Sequence, residues 1–198
     1  MDDQPLSRFD RPNVQWADVA HFQEPGRLDP VQPEDKIPDP IYSKALDYLV
    51  IACVDVVLMH QRQLLLVKRS RYPRPSWWII GGRMSAGEHP KKAAQRKVAQ
   101  EASINHLPLS RFHYVGVYST CFAFRHQSPE HHGSHSLNLT YVVELVQPER
   151  EQIVVRSDEH ADWKWIDMDR VGELLDLDQV MDQALLQIVR DLQVTIAA

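Results

Sequence analysis

Between Trp77 and Ala102 the chain passes from a short apolar run into a glycine pair, Gly81 and Gly82, and then through Ser85, Gly87 and Glu88 into a helix opening at Pro90. Proline suits a first helical turn, where its missing N–H would have no partner in any case. Ala93, Ala94, Val98 and Ala102 recur along this helix at helical spacing. They form a narrow stripe of small side chains that can lie close against a sheet.

The flanking segments supply that sheet. Ile41 to Tyr48 reads as a short helix, and Tyr48 to Leu58 and Gln63 to Val67 read as strands joined by the polar turn His60, Gln61 and Arg62. Phe112 to Thr120 and Leu139 to Val146 are expected as longer strands. Between them the polar, histidine-rich stretch Phe124 to His135 is expected to rim a pocket. Trp163 to Ile166 is a last strand, Asp167 or Asp169 caps a short helix through Leu175, and Val180, Ala184, Leu185, Ile188 and Leu192 mark a closing amphipathic helix. Strands and helices alternate without a regular βα repeat, which predicts an α/β fold with a mixed sheet and helices on both faces.

Seven of the thirteen prolines fall within residues 1–40, where no aliphatic run could supply a core. That segment is expected as an extended arm, draped over the domain or mobile, with Trp16 and Phe22 as candidate anchors. Residues 41–198 then form the globular domain. At 198 residues, 43% hydrophobic, the chain has the material for one such core. A net charge of −5 argues against nucleic acid as a default partner. Cys53 and Cys121 lie inside apolar or aromatic runs, which suits reduced, buried thiols and a cytoplasmic setting. The start Met1, Asp2, Asp3 has no export signal, and Asp55 interrupts the most apolar stretch, so no membrane span is expected. His126, His131, His132 and His135 are poorly spaced for zinc and are read instead as a partly protonated loop near phosphate.

Gly82, Glu88, Arg96, Val98, Glu101 and Ile104 stand at the positions of the pattern G-x5-E-x7-R-E-U-x-E-E-x-G-U, where U is bulky and aliphatic. The segment thus resembles the box of the Nudix hydrolases, with Lys97 and Gln100 in place of two glutamates and Ser103 in place of the second glycine. Lys68, Arg69, Trp78 and the run Asp158, Glu159, His160 before Trp163 and Trp165 match as well, so the resemblance covers residues 45–192. It implies the family's α/β/α sandwich, a divalent cation, and a nucleoside diphosphate derivative as substrate. In the family, glutamates at the places of Lys97, Gln100 and Glu101 hold the metals, since hard divalent ions need oxygen ligands. With Lys97 one turn before Glu101, the expectation is a single Mg²⁺ (or Mn²⁺) on Glu101, the Gly81 carbonyl, Glu159 and the substrate diphosphate. The opposing expectation is that Glu101 merely pairs with Lys97. Glu88 and Arg96 match the family's structural pair, which fixes the loop to the helix.

The pattern is more similar still to the GDP-mannose mannosyl hydrolase branch, which has lost the same glutamates. Position by position this implies Arg83, Arg96, Glu101 and His160 as site residues, with Arg69, Tyr141 and Asp55 on the substrate. The implied reaction is water attacking the sugar carbon, with His160 as general base and Arg83 and Arg96 neutralising the departing nucleoside diphosphate. Acidic neighbours of His160 would make the pH optimum alkaline. Thr120 and Glu159 depart from that branch and leave base and sugar open. Tyr72, Trp77, Tyr118, Phe122 and Phe124 are either a stacking wall or core. Two other readings stand beside this one. One is a pyrophosphohydrolase attacking phosphorus, with Glu101, Glu88 and Glu159 around a small metal site. The other is a non-catalytic nucleotide-binding module. A homodimer is implied by family analogy alone.

Overall fold

A computed structural model describes residues 18–24, 37–156 and 160–197. The sheet is organised on β1 (Ile51–His60), which is buried from Val54 to its end. Successive side chains of a strand point to opposite faces. Val54, Val56 and Leu58 therefore enter one core layer, and Val57 and Met59 the other. β1 runs parallel to β6 (Ser134–Glu144), which pairs antiparallel with the edge strand β5 (His113–Phe122). On its other side β1 turns through Gln61, at φ 57°, into β2 (Gln63–Arg69). β2 pairs antiparallel with β3 (Trp77–Trp78) and β7 (His160–Asp167), while β4 (Ile80–Arg83) pairs antiparallel with the first half of β1.

Helices cover both faces of this seven-stranded mixed sheet, as the alternation of elements predicts. α1 (Asp39–Tyr48) precedes β1. α2 (Pro90–Ala102) lies on the Val54 layer, where Ala93, Ala94, Val98 and Ala102 are all 0% exposed. The short helices α3 (Gln147–Glu151) and α4 (Val171–Leu174) follow β6 and β7. α5 (Val180–Ala197) covers the opposite layer with Leu185, Ile188, Val189 and Leu192. Asp167 caps the turn before α4 by accepting from the Asp169 N–H at 3.0 Å.

Three differences from the sequence reading have physical reasons. β4 continues through both glycines instead of ending at them, because Gly81 and Gly82 pair with Asp55 and Val54. β6 begins at Ser134 and not at Leu139; its first residues include Ser136 and Asn138, which face a polar recess and carry no apolar period. Cys121, expected to be buried, is exposed on the edge strand β5. In the arm, Val19 packs against the α2 layer and Asp18 pairs with Lys91 at 2.6 Å. Phe22 is 91% exposed and packs in no core layer among the described residues; Trp16 lies outside the described residues. No helix among the described residues is long and apolar enough to cross a membrane.

Because α2 sits on the sheet through alanines, added bulk there has nowhere to go. Ala94→Leu is expected to lower the free energy of unfolding by about 1–3 kcal/mol, read as a shift of the urea midpoint at unchanged slope.

Candidate active site

A cavity of about 350 Å³ opens where α1, β1, β4 and the ends of β5 and β6 meet. Arg69 reaches it from the end of β2, Arg71 from the following loop, Arg83 from the end of β4 and Lys97 from α2. Among the described residues no Asp or Glu lines it. In a chain of net charge −5 this is a local concentration of positive charge, which a low-dielectric wall focuses outward. The Arg83 guanidinium stands over the Tyr42 ring, 5.5 Å from its centroid. Tyr72 and Phe122 form an aromatic wall, with Phe124 stacked on Tyr72 at 5.5 Å. His126 and His135 also face the cavity, and His135 Nε2 lies 2.8 Å from Ser119 Oγ.

A recess of about 90 Å³ adjoins the cavity and is lined by Asp55, Arg74, Thr120 and Asn138, all buried. Asn138 Nδ2 donates to Thr120 Oγ1 at 2.9 Å, and Trp78 Nε1 donates to Asp55 Oδ2 at 3.3 Å. Arg74 donates to the Met181 carbonyl and stacks over Trp78, while its Nη1 is buried without a hydrogen-bond partner. Burial pushes the Asp55 carboxyl up to about 7, against the pull of the Trp78 N–H and the Arg74 charge.

The glycines make this packing possible. A Cβ on Gly81 would stand 2.2 Å from Asp55 Oδ1 and 2.4 Å from the Val54 carbonyl. A Cβ on Gly82 would stand 2.9 Å from Lys97 Nζ. Beyond them, Arg96 Nε and Nη2 grip the two Glu88 oxygens at 2.7 Å each. The same Nη2 donates to the Arg83 carbonyl at 3.2 Å, and Glu88 Oε2 accepts from the Ser85 N–H at 2.9 Å. Burial alone would raise Glu88, but the Arg96 and Ser85 donors hold it below its usual range. This fork ties the loop to α2 and aims Arg83.

On the same helix Glu101 is 3% exposed. Its Oε2 lies 3.1 Å from His160 Nε2, and its Oε1 lies 3.5 Å from Lys97 Nζ. His160 is 5% exposed, with Nδ1 buried and without a hydrogen-bond partner among the described residues.

Residues 50–188 match the model of the NUDIX domain. The chain belongs to the NUDIX domain family. No functionally curated protein matches this sequence, but solved structures share the fold. A MutT NUDIX hydrolase of Burkholderia pseudomallei is 21% identical with a TM-score of 0.55, over 72% of this chain and 98% of that one. The E. coli dihydroneopterin triphosphate pyrophosphohydrolase is 21% identical with a TM-score of 0.54, over 76% and 100%. The NUDIX domain of Shewanella oneidensis NrtR, solved with ADP ribose, is 17% identical with a TM-score of 0.52, over 78% and 98%.

NUDIX domains as a family use divalent metals, so the donor set here bears on the chemistry. Among the described residues no group of three or more His, Cys, Asp or Glu is placed to hold an ion. Glu101 is already engaged by His160 and faces an ammonium, and Glu88 is engaged by Arg96. Mg²⁺ is usually held by one or two carboxylates together with waters and substrate phosphates; here the Lys97 ammonium stands 3.5 Å from Glu101 Oε1, where the ion would bind, so the described residues do not fit one. Glu159, expected as a further ligand, lies outside the described residues.

Of the other expected site residues, Arg69, Arg83 and Gly81 line the cavity and Asp55 the recess. Arg96, Glu101 and His160 stand behind them and face neither space. Tyr141 is turned away by register: β6 sets Thr140 against Asp55 and Tyr141 against Val56. With a side-chain period of two, Tyr141 and Asp55 face opposite sides of the sheet, and Tyr141 is 0% exposed under α2. Of the expected aromatic wall, Tyr72 and Phe122 are on the cavity, whereas the Tyr118 hydroxyl donates to Asp191 on α5 at 2.7 Å. Of the four loop histidines, His126 and His135 face the cavity; His132 pairs with Asp47 at 3.0 Å. Tyr42 and Arg71 escaped sequence reasoning, although the cation-rich run Arg69, Arg71, Arg74 around Pro73 was a usable signal.

Asp55 gives a testable pH dependence. Its folded value of about 7 lies above its ordinary 3.8, so stability present below the lower value is lost as pH rises through the upper one. Asp55→Asn is expected to remove that part of the loss, seen by comparing denaturant midpoints of the two proteins across this pH interval.

Proposed function

We propose that this NUDIX domain takes up a nucleoside diphosphate derivative and holds its diphosphate on Arg69, Arg71, Arg83 and Lys97. The observation that carries the reading is the cavity's charge: among the described residues, four Lys and Arg side chains and no carboxylate line it. Arginine forks match pairs of phosphate oxygens, and a lysine adds a compact point charge. Tyr42, Tyr72 and Phe122 offer faces for a base, and the Asp55 and Asn138 recess offers polar edges. Two proteins of this fold are consonant with it: one is solved with ADP ribose, and one is named for a triphosphate substrate.

We infer that cleavage is directed at phosphorus. His126 and His135 share the cavity with the four cations. An imidazole there can take the proton of an attacking water, while the cations neutralise charge growing on the leaving phosphate. Phosphoryl transfer asks mainly for positioning and charge stabilisation, which this lining supplies. Release of a sugar by His160 with one Mg²⁺ on Glu101 has less support, because Nε2 of His160 is taken by Glu101 and Nδ1 is enclosed.

Calorimetric titration of ADP, AMP and adenosine tests the binding. The expectation is tightest binding of ADP, weakened by about 10- to 100-fold in Arg83→Ala, in line with a charged hydrogen bond of about 1.5–3 kcal/mol. Equal affinity for ADP and adenosine would contradict it. Turnover of ADP-linked compounds in heavy-oxygen water should place the label in a phosphate product; label in the sugar would refute attack on phosphorus.

A further inference from the structure

We propose that Lys97 is the resident cation of this site, its ammonium replacing a divalent metal in holding the diphosphate. The inference rests on the diphosphate reading above and goes further by assigning the charge that neutralises it. Three observations converge. Lys97 crosses the strand edge over Gly82, with Nζ 2.9 Å from the point where any Cβ would stand, so the glycine leaves room for the ammonium. The carboxylate at the matching end of the metal-binding pattern meets His160 at Oε2, 3.1 Å away, and the Lys97 charge 3.5 Å from Oε1, an ion pair without a hydrogen bond. The ammonium itself reaches the cavity wall beside Arg69, Arg71 and Arg83.

The charges follow from this arrangement. Glu101 is almost wholly buried, and an ammonium at ion-pair distance supplies the countercharge that a buried carboxylate needs. An ammonium carries three donors and no acceptor, and Glu101 Oε1 at 3.5 Å satisfies at most one of them. The remaining donors are available to phosphate oxygens. A divalent ion brought to the same carboxylate would meet the Lys97 charge and three guanidinium groups, with no further carboxylate on the cavity wall among the described residues. A tethered cation also cannot be removed by a chelator, so diphosphate binding does not require Mg²⁺.

The experiment uses the full chain with ADP as the probe, titrated once in EDTA and once in excess Mg²⁺, and a separate titration with free Mn²⁺ followed by electron paramagnetic resonance. Wild type is expected to bind ADP in EDTA at least as tightly as in excess Mg²⁺, and to retain no Mn²⁺. Lys97→Met is expected to weaken ADP binding in EDTA by at least about tenfold, and Lys97→Arg to restore most of it. Lys97→Glu, which puts a second carboxylate one turn before Glu101, is expected to gain Mn²⁺. Thermal midpoints show whether each variant is folded, and an unfolded Lys97→Met leaves the wild-type comparisons to decide. ADP bound only with Mg²⁺, Mn²⁺ retained by wild type, or a folded Lys97→Met with unchanged ADP affinity each overturns the inference. If ADP binds in neither buffer, the diphosphate reading fails instead, and Mn²⁺ retention by wild type against Lys97→Glu still decides whether the ammonium excludes a metal.

Discussion

The close approach of β4 to β1 is the contact on which the site depends. Gly81 lies so near Asp55 and the Val54 carbonyl that a Cβ would overlap both. Because glycine leaves room for both that carboxylate and that backbone, β4 stays paired with β1 through its glycines and delivers Arg83 to the cavity wall. Gly82 beside it leaves the edge open for Lys97 to cross. The Glu88–Arg96 fork then fixes the outgoing loop by donors to both carboxylate oxygens and to the Arg83 carbonyl. Two missing side chains and one fork thus set the position of two of the four cavity cations.

Charge in this region is sorted by depth. Glu88, Glu101 and Asp55 all lie behind the cavity wall, each with a specific partner in Arg96, His160 with Lys97, or Trp78. The cations stand in front and line the cavity. In a metal-using NUDIX site the sequence of charges runs carboxylate, metal, phosphate. Here the chain's own ammonium stands beside Glu101 and lines the cavity, whose described residues carry positive charge and no carboxylate. Lys97 and Gln100, in place of two glutamates, remove the acidic charge from that helix face.

How far the site was legible in the sequence differs from residue to residue. The alanine stripe of α2, the alternation along β1 and the spacing from Gly82 to Glu101 were readable because they repeat with the period of the element that carries them. The fork of Glu88 and Arg96 was readable because its members are close along the chain and joined by one loop. The start of β6 was not readable, since its first residues face a polar recess and show no apolar period. Arg71 and Tyr42 come from a loop and a preceding helix, where no period marks the direction of a side chain.

Residue types and their spacing along the chain determined the sandwich, the glycine-led helix and the loss of metal-ligating charge at Lys97 and Gln100. Those are properties of one segment at a time, governed by local periodicity. Only the tertiary structure decided that Tyr141 is buried in the core layer under α2, that His160 closes on Glu101, and that four Lys and Arg side chains face one cavity. Such outcomes depend on strand register and on distances between residues remote in sequence. A shift of one residue in register exchanges the faces of a strand, and nothing in its composition records which face was taken.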